Sequence, residues 1–383
     1  MGVIELEKKR TKPRVIEEEA DSIFVASQWQ LMWWKFRKHK PAMIGGVIIL
    51  FFYFVGAFCE FVAPCDPTDY SKKYTYAPPQ SVRFSDQGKL QLRPFVYGLE
   101  GERDPETMRM LFEVNPERKY PLRLFARGVP YKLWGSFESD IHLLGIEDSD
   151  GKGTMYLLGT DRMGRDVLSR LAYGARISMS IGLAGVLLSF VLGILIGGAS
   201  GYYGGLLDTI VMRVIEFIRS VPSIPLWMAM SAALPIDWSA IKMYFGITLV
   251  LSLIGWTWLA RVVRSQFLAL REEDFVMAAQ LAGASEFRII VRHLVPAFLS
   301  YIIASMSLSI PQMILSETSL SFLGLGIRPP AISWGVLLQE AQNLRAIASA
   351  PWVLAPGAVV VIVVLAFNFL GDGLRDAADP YAR

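Results

Sequence analysis

Six stretches of this 383-residue chain are apolar over about 20 residues each, the length a helix needs to cross the hydrocarbon of a bilayer. They fall at 42–63, 177–201, 214–234, 244–259, 293–316 and 352–370. A segment immersed in lipid must satisfy its own backbone hydrogen bonds, so each reads as a helix, and the chain as an all-α integral membrane protein. The hydrophobic share of 53% and mean hydropathy of +0.37 agree with this reading. In the second stretch, glycines at 182, 185, 193, 197 and 198 would let neighbouring helices approach closely. The third is interrupted by Pro222 and Pro225, and its apolar half follows Asp208, Arg213, Glu216 and Arg219.

The short flanking segments set an orientation. Lys35, Arg37, Lys38 and Lys40 precede the first span, which places residues 1–41 in the cytoplasm. Six crossings then return the tail, 374–383, to the same side. The loop with Arg261, Arg264, Arg271, Arg288 and Arg292 also falls inside, and that near Asp237 and Lys242 outside. The first span starts some forty residues in and lacks a small-x-small cleavage site, so it reads as a retained anchor rather than a signal peptide. Residues 1–27 are charged and poor in aromatics, and read as a mobile tail.

Residues 64–160 form a long insertion on the outer side. QLRPFVYG and YPLRLFARG suggest short strands, hence a small, mixed, β-containing subdomain. Tyr97, Phe125, Tyr131 and Trp134 are expected to be mostly buried in a small core, and the domain to brace a partner or seat a binding protein. The glycine-rich GIEDSDGKG at 145–153 has the wrong spacing for a phosphate loop, so no nucleotide site is expected. Val167, Leu168, Leu171 and Ala172 alternate at helical spacing with Arg165, Asp166 and Arg170, predicting an interfacial helix over 161–176 that feeds the second span. Two cysteines, Cys59 and Cys65, offer neither a metal cluster nor a disulfide framework. His39, His142 and His293 are scattered, so no metal site and no catalytic set is expected. The net charge of +3 carries no argument about nucleic acid, and no nucleic-acid partner is expected.

Between the fourth and fifth spans lies DFVMAAQLAGASEFRIIVRHLVP, residues 274–296. Small residues cluster at Ala278, Ala279, Ala282, Gly283, Ala284 and Ser285, followed by a basic helical run that ends at Pro296. A short amphipathic helix with a small-residue seat, exposed between two spans, is a surface for another protein to dock on.

This pattern resembles the cytoplasmic coupling motif of binding-protein-dependent ABC importer permeases: Ala278 and Ala279 paired, Gly283 four residues on, and Val295-Pro296 at the end. Met277 stands where a glutamate often precedes the alanines, and His293 where an aliphatic residue is common. GTD, GRD, SR and YGARIS within residues 158–178 resemble the C-type subunit of oligopeptide and dipeptide permeases. So do GYYGG at 201–205, ETSLSFLGLG at 317–326, SWG at 333–335 and GDGLRDAADP at 371–380. The resemblance implies a type I importer permease with six transmembrane helices, the core at 177–373 and the coupling helix at 274–292. It implies a homologous second permease as heterodimer partner, two cytoplasmic ABC ATPases that use ATP and Mg, and an extracytoplasmic solute-binding protein. This chain would bind no cofactor and catalyse no reaction itself. It would sit in a bacterial or archaeal inner membrane and carry peptides; oligosaccharides, opine-like compounds and nickel chelates are cargoes of the same class. Asp274, Ala278, Ala279, Gly283, Ala284, Ser285 and Phe287 would form the ATPase-coupling surface.

Candidates for the pathway are Ser307 and Gln312 on the fifth span, where helix packing is the blander role, and Glu317, which lines the mouth or caps the next turn. Arg213, Glu216 and Arg219, three residues apart, read as ion pairs at a helix end in preference to a solute contact. An ion-coupled secondary transporter is the alternative of a different class, but it calls for inverted repeats and mid-span carboxylates that the sequence lacks.

Overall fold

The structure, a computed structural model, describes residues 28–86, 89–106, 110–147, 153–235 and 237–378. Helix α1 (Gln28–Lys38) leads into α2 (Lys40–Ala57), which a one-residue break at Phe58 separates from the short α3 (Cys59–Val62). Then come α4 (Val167–Tyr203), α5 (Gly205–Ser220), α6 (Ser223–Ala232) and α7 (Ala240–Leu270). After the short α8 (Asp274–Leu281) and α9 (Glu286–Ile289) follow α10 (Leu299–Phe322), α11 (Trp334–Leu338) and α12 (Ala355–Ala378). Among the described residues, five helical stretches are long and apolar enough to cross a membrane: α2, α4, α7, α10, and α12 with the turn before it.

The third expected span, 214–234, is not one helix. The chain becomes extended at Val221 (ψ 134°) and restarts after Pro222. Proline has no N–H to donate and disfavours helical geometry in the residue before it, so α5 ends there and α6 begins anew. Together α5 and α6 run antiparallel to α7. Asp208 meets Arg264 near the start, Ile215 packs with Trp256 and Ala260, and Leu234 and Trp238 flank Gly246 at the far end. By contrast α4 and α7 run parallel. Ser252 Oγ donates to the Gly185 carbonyl (3.0 Å), Gly193 lies on Leu259, and Gly201 lies on Arg264.

No separate interfacial helix occupies 161–176. From Val167 onward the segment is continuous with α4, and only the preceding residues form a turn. Asp166 caps that helix, its Oδ2 accepting from Ser169 N (2.7 Å) and Ser169 Oγ (2.6 Å). Burial pushes the Asp166 carboxyl up to about 6 against these hydrogen bonds. Arg176 of α4 donates to Glu60 (2.6 and 2.5 Å), tying α3 to α4.

The insertion is an antiparallel meander of β1 (Arg83–Asp86), β2 (Lys89–Arg103), β3 (Met110–Leu133) and β4 (Phe137–Ile146), paired in chain order. Its strands are longer than QLRPFVYG and YPLRLFARG suggest. The two ends of the excursion are clasped together. Ala77 N donates to Thr160 Oγ1 (2.7 Å), Thr160 N to the Ala77 carbonyl (2.9 Å), Gln80 N to the Tyr156 carbonyl (2.9 Å), and Tyr156 N to Gln80 Oε1 (2.6 Å). Val96, Tyr120, Leu122 and Met155 form its small core. The expected aromatic core is corrected: Phe125 is 65% and Trp134 55% exposed, while Tyr97 and Tyr131 are half-buried. A single sheet without a second layer over it has too little interior for them. The sequence readings of 1–27, of 148–152 within the glycine-rich stretch, and of 379–383 lie outside the described residues.

Candidate functional site

The segment after α7 folds back on itself. α8 ends in a glycine turn in which Gly283 N donates to the Gln280 carbonyl (2.9 Å) and Ala284 N to the Ala279 carbonyl (3.0 Å). These are the two bonds of a Schellman motif, which needs a left-handed residue at Gly283 (φ 76°). A Cβ added there would meet nothing within 4 Å, so backbone conformation rather than space calls for the glycine. Ser285 Oγ then accepts from Arg288 N (3.4 Å) and caps α9. A π-helical stretch, Ile290–Leu294, carries the chain toward α10.

Val276, Ile289 and Leu294 anchor this segment in the core. Its outer face carries bare apolar groups among charged ones: Leu281 is 90% and Phe287 75% exposed, with Phe275 and Met277 beside them, and Glu286 and Arg288 are exposed as well. Asp274 and Ala278 are exposed, and Ala279 and Ala284 half-buried. Phe275, Ala279, Gly283, Arg288 and His293 border an open cleft of about 420 Å³. Tyr203, the last residue of α4, donates from its hydroxyl to Glu286 (2.8 Å), so the segment is tied to the end of a membrane helix. Gly283→Ala is expected to weaken the turn by about 1–2 kcal/mol, the cost of a left-handed L-residue, and Gly283→Asn by less. Hydrogen exchange at the Gly283 and Ala284 amides is the readout, faster in the alanine variant.

A second feature is a cavity of about 560 Å³ between α4, α6, α7 and α10. Trp227, Trp258 and Met313 supply apolar wall, Ser189, Ser309 and Gln312 polar atoms, and Arg375 reaches it from α12. Ser309 and Ser316 donate to the carbonyls of Ser305 (2.8 Å) and Gln312 (2.7 Å), leaving oxygen lone pairs for a guest. Of the three pathway candidates only Gln312 lines it. Ser307 donates back to the Ile303 carbonyl (3.1 Å). Glu317 is fully buried and accepts from Ser178 (3.1 Å) and Ser321 (2.7 Å); Ser178 Oγ in turn accepts from Trp334 N (3.1 Å). It therefore staples α10 to α4 and α11, and lines no mouth.

Arg213 pairs with Glu216 (2.8 Å) in the open, where such a pair contributes little, and the exposed Arg219 enters no ion pair among the described residues. The polar lock at this end is one the sequence reading missed. Asp208 takes two hydrogen bonds from Arg264, one of them from Nη2 (2.5 Å), and another from Ser200 Oγ (2.6 Å). Partners 56 residues apart leave no periodic signal.

The profile of the family described as the binding-protein-dependent transport system inner membrane component matches residues 189–383. The chain belongs to this family. A second profile, the N-terminal TM domain of oligopeptide transport permease C, matches residues 27–79 of this importer permease. The dipeptide transport system permease protein DppC of Bacillus subtilis is 39% identical over 227 residues, 59% of this chain and 68% of that one. The oligopeptide transport system permease protein OppC of the same organism is 38% identical over 226 residues, 59% of this permease and 72% of the relative. OppC of Haemophilus influenzae is 38% identical over 229 residues, covering 60% and 71%. Among solved structures, the MetNI methionine ABC transporter in inward-facing conformations overlaps 55% of the permease and 96% of its own chain, with a TM-score of 0.42 and 18% identity.

Proposed function

We propose that this permease is the C-type subunit of a peptide importer and forms half of its translocation pathway. The observation that carries the reading is the cavity of about 560 Å³, walled by tryptophan and aliphatic groups and dotted with serine oxygens and the Gln312 amide. The neutral groups meet a peptide backbone, and Arg375 at the edge of the cavity adds a cation that a carboxylate can meet. The names of the dipeptide and oligopeptide relatives support the same cargo.

The chain crosses the membrane six times, with both termini cytoplasmic and residues 64–160 outside. This is supported by the parallel run of α4 and α7, which requires a return crossing between them, and α5 with α6 is the segment available for it. Its partners are a homologous permease, two ATPases that hydrolyse ATP with Mg, and an extracytoplasmic binding protein. The bare face around Leu281 and Phe287 is where an ATPase docks, and the two transporter states differ in how that contact is held. The test is uptake by the reconstituted transporter with its cognate binding protein. Uptake of di- or oligopeptides, dependent on ATP, is expected. ATP-driven uptake of oligosaccharides, opine-like compounds or nickel chelates with none of peptide would reject the cargo, and ion-driven uptake without ATP would reject the class.

A further inference from the structure

The β3–β4 hairpin does not stand clear of the membrane helices; its tip folds back onto the end of α2. The Trp134 indole N–H donates to the carbonyl of Ala57, the last residue of α2 (2.7 Å), and its ring packs on Phe58 (5.4 Å between centroids). Phe58 packs in turn on Phe54 (4.9 Å), on the exposed flank of α2, so an unbroken line of aromatic rings runs from that flank to the hairpin. A second contact pairs Phe125 with Phe61 (6.1 Å).

Both hairpin aromatics adopt left-handed backbone, Trp134 at φ 51° and Phe125 at φ 56°; the one other such non-glycine among the described residues is Tyr76. That conformation is unfavourable for a bulky residue and persists where surrounding contacts fix it. The contacts it secures here are with the end of a membrane span. Phe137, next to Gly135 and Ser136 of the turn, is exposed as well, and so are Val129 and Leu124 farther along β3. Beneath Trp134, an apolar groove of about 430 Å³ runs between α2 and α4 past Met179, Leu183 and Leu187.

We propose that the tip of the β3–β4 hairpin is seated in the interfacial layer of the bilayer, on the leaflet facing the insertion. Tryptophan and phenylalanine settle at that depth because their rings are apolar and the indole N–H has a polar partner. The hairpin surface is continuous with the lipid-facing flank of α2, and the charged Lys132–Glu138 pair (3.0 Å) sits next to the tip. Lipid is thus the occupant of this face. The proposal rests on the importer-permease reading in one respect, that α2 spans the membrane.

The experiment uses the full transporter in phosphatidylcholine–phosphatidylglycerol nanodiscs, with Cys59→Ala and Cys65→Ala as background. A spin label is attached at Phe137→Cys, and in separate samples at Val47→Cys, on the exposed flank of α2, and at Glu113→Cys, toward the far end of the sheet. Collision with oxygen reports lipid, and collision with a water-soluble nickel chelate reports solvent. The label at Phe137 is expected to lose nickel contact and gain oxygen contact relative to that at Glu113. Equal accessibility at the two sites would overturn the proposal. So would shielding of Phe137 from both reagents, which would mean that a protein partner covers the tip. Should Val47 also collide with nickel, the premise that α2 spans the membrane fails along with the proposal.

Discussion

A permease carrying Leu281→Asp and Phe287→Asp is expected to fold and insert normally yet fail to transport. Both side chains are bare in this chain, so removing them takes away little of its own packing. Buried under a docked ATPase, each would contribute about 1.5–3 kcal/mol, and an aspartate adds the cost of taking a charge out of water. The loss is on the order of 4 kcal/mol, about a thousandfold in affinity. Copurification of the ATPase subunits should therefore disappear, while thermal unfolding of the permease in detergent stays unchanged. Retained copurification would remove this face from the coupling surface. A lowered melting temperature would mean that the two residues support the fold itself.

The second large effect is expected at the crossing of α4 and α7. A Cβ on Gly197 would lie 2.3 Å from the Ala260 carbonyl oxygen and 2.7 Å from its Cα, both backbone atoms that no rotamer change can move. Gly197→Leu must push the two helices apart. Overpacking costs about 1–3 kcal/mol where side chains can yield, and more is expected where they cannot. The variant should purify poorly or aggregate, as judged by size-exclusion profile and melting temperature. Gly46→Ala is the control: its Cβ would meet Leu370 at 3.7 Å, an ordinary contact, and the variant should behave as the parent. Equal behaviour of the two would show that the helix pair is more yielding than its geometry implies.

Apolar length made the strongest spans legible, because lipid demands it whatever the neighbours are. Pro222 was just as visible, but not its consequence: whether a proline kinks a span or divides it depends on what takes up the freed backbone groups, here two helices laid along α7. The turn at Gly283, which divides the single helix expected over 274–292 into α8 and α9, could be read only as a glycine among small residues, not as the one left-handed residue it is. Glu317 could not be, since a lone carboxylate in a sequence gives no sign of which hydroxyls surround it, and Ser178 lies 139 residues away. Asp208 and Arg264 were each visible as a charge beside a span and only the fold makes them a pair. For the insertion, aromatic content suggested an interior. On a one-layer sheet Phe125 and Trp134 stay exposed and Tyr97 and Tyr131 only half-buried, and nothing in the local pattern distinguishes the two cases.

The clasp at the base of the insertion has a consequence for how such a chain can change over time. Since Ala77 and Thr160 are bonded to each other, and Gln80 to Tyr156, everything between them leaves from and returns to one point. Closing a loop costs only slowly more as it lengthens, so the frame is nearly indifferent to how much chain lies beyond that point. Strands there can be gained, shortened or exchanged without moving the helices, apart from the hairpin that carries Trp134 and Phe125 onto α2 and α3. Beyond that hairpin the inserted sheet is in this sense a cassette, free to diverge at its own pace while the helical frame is held to its packing.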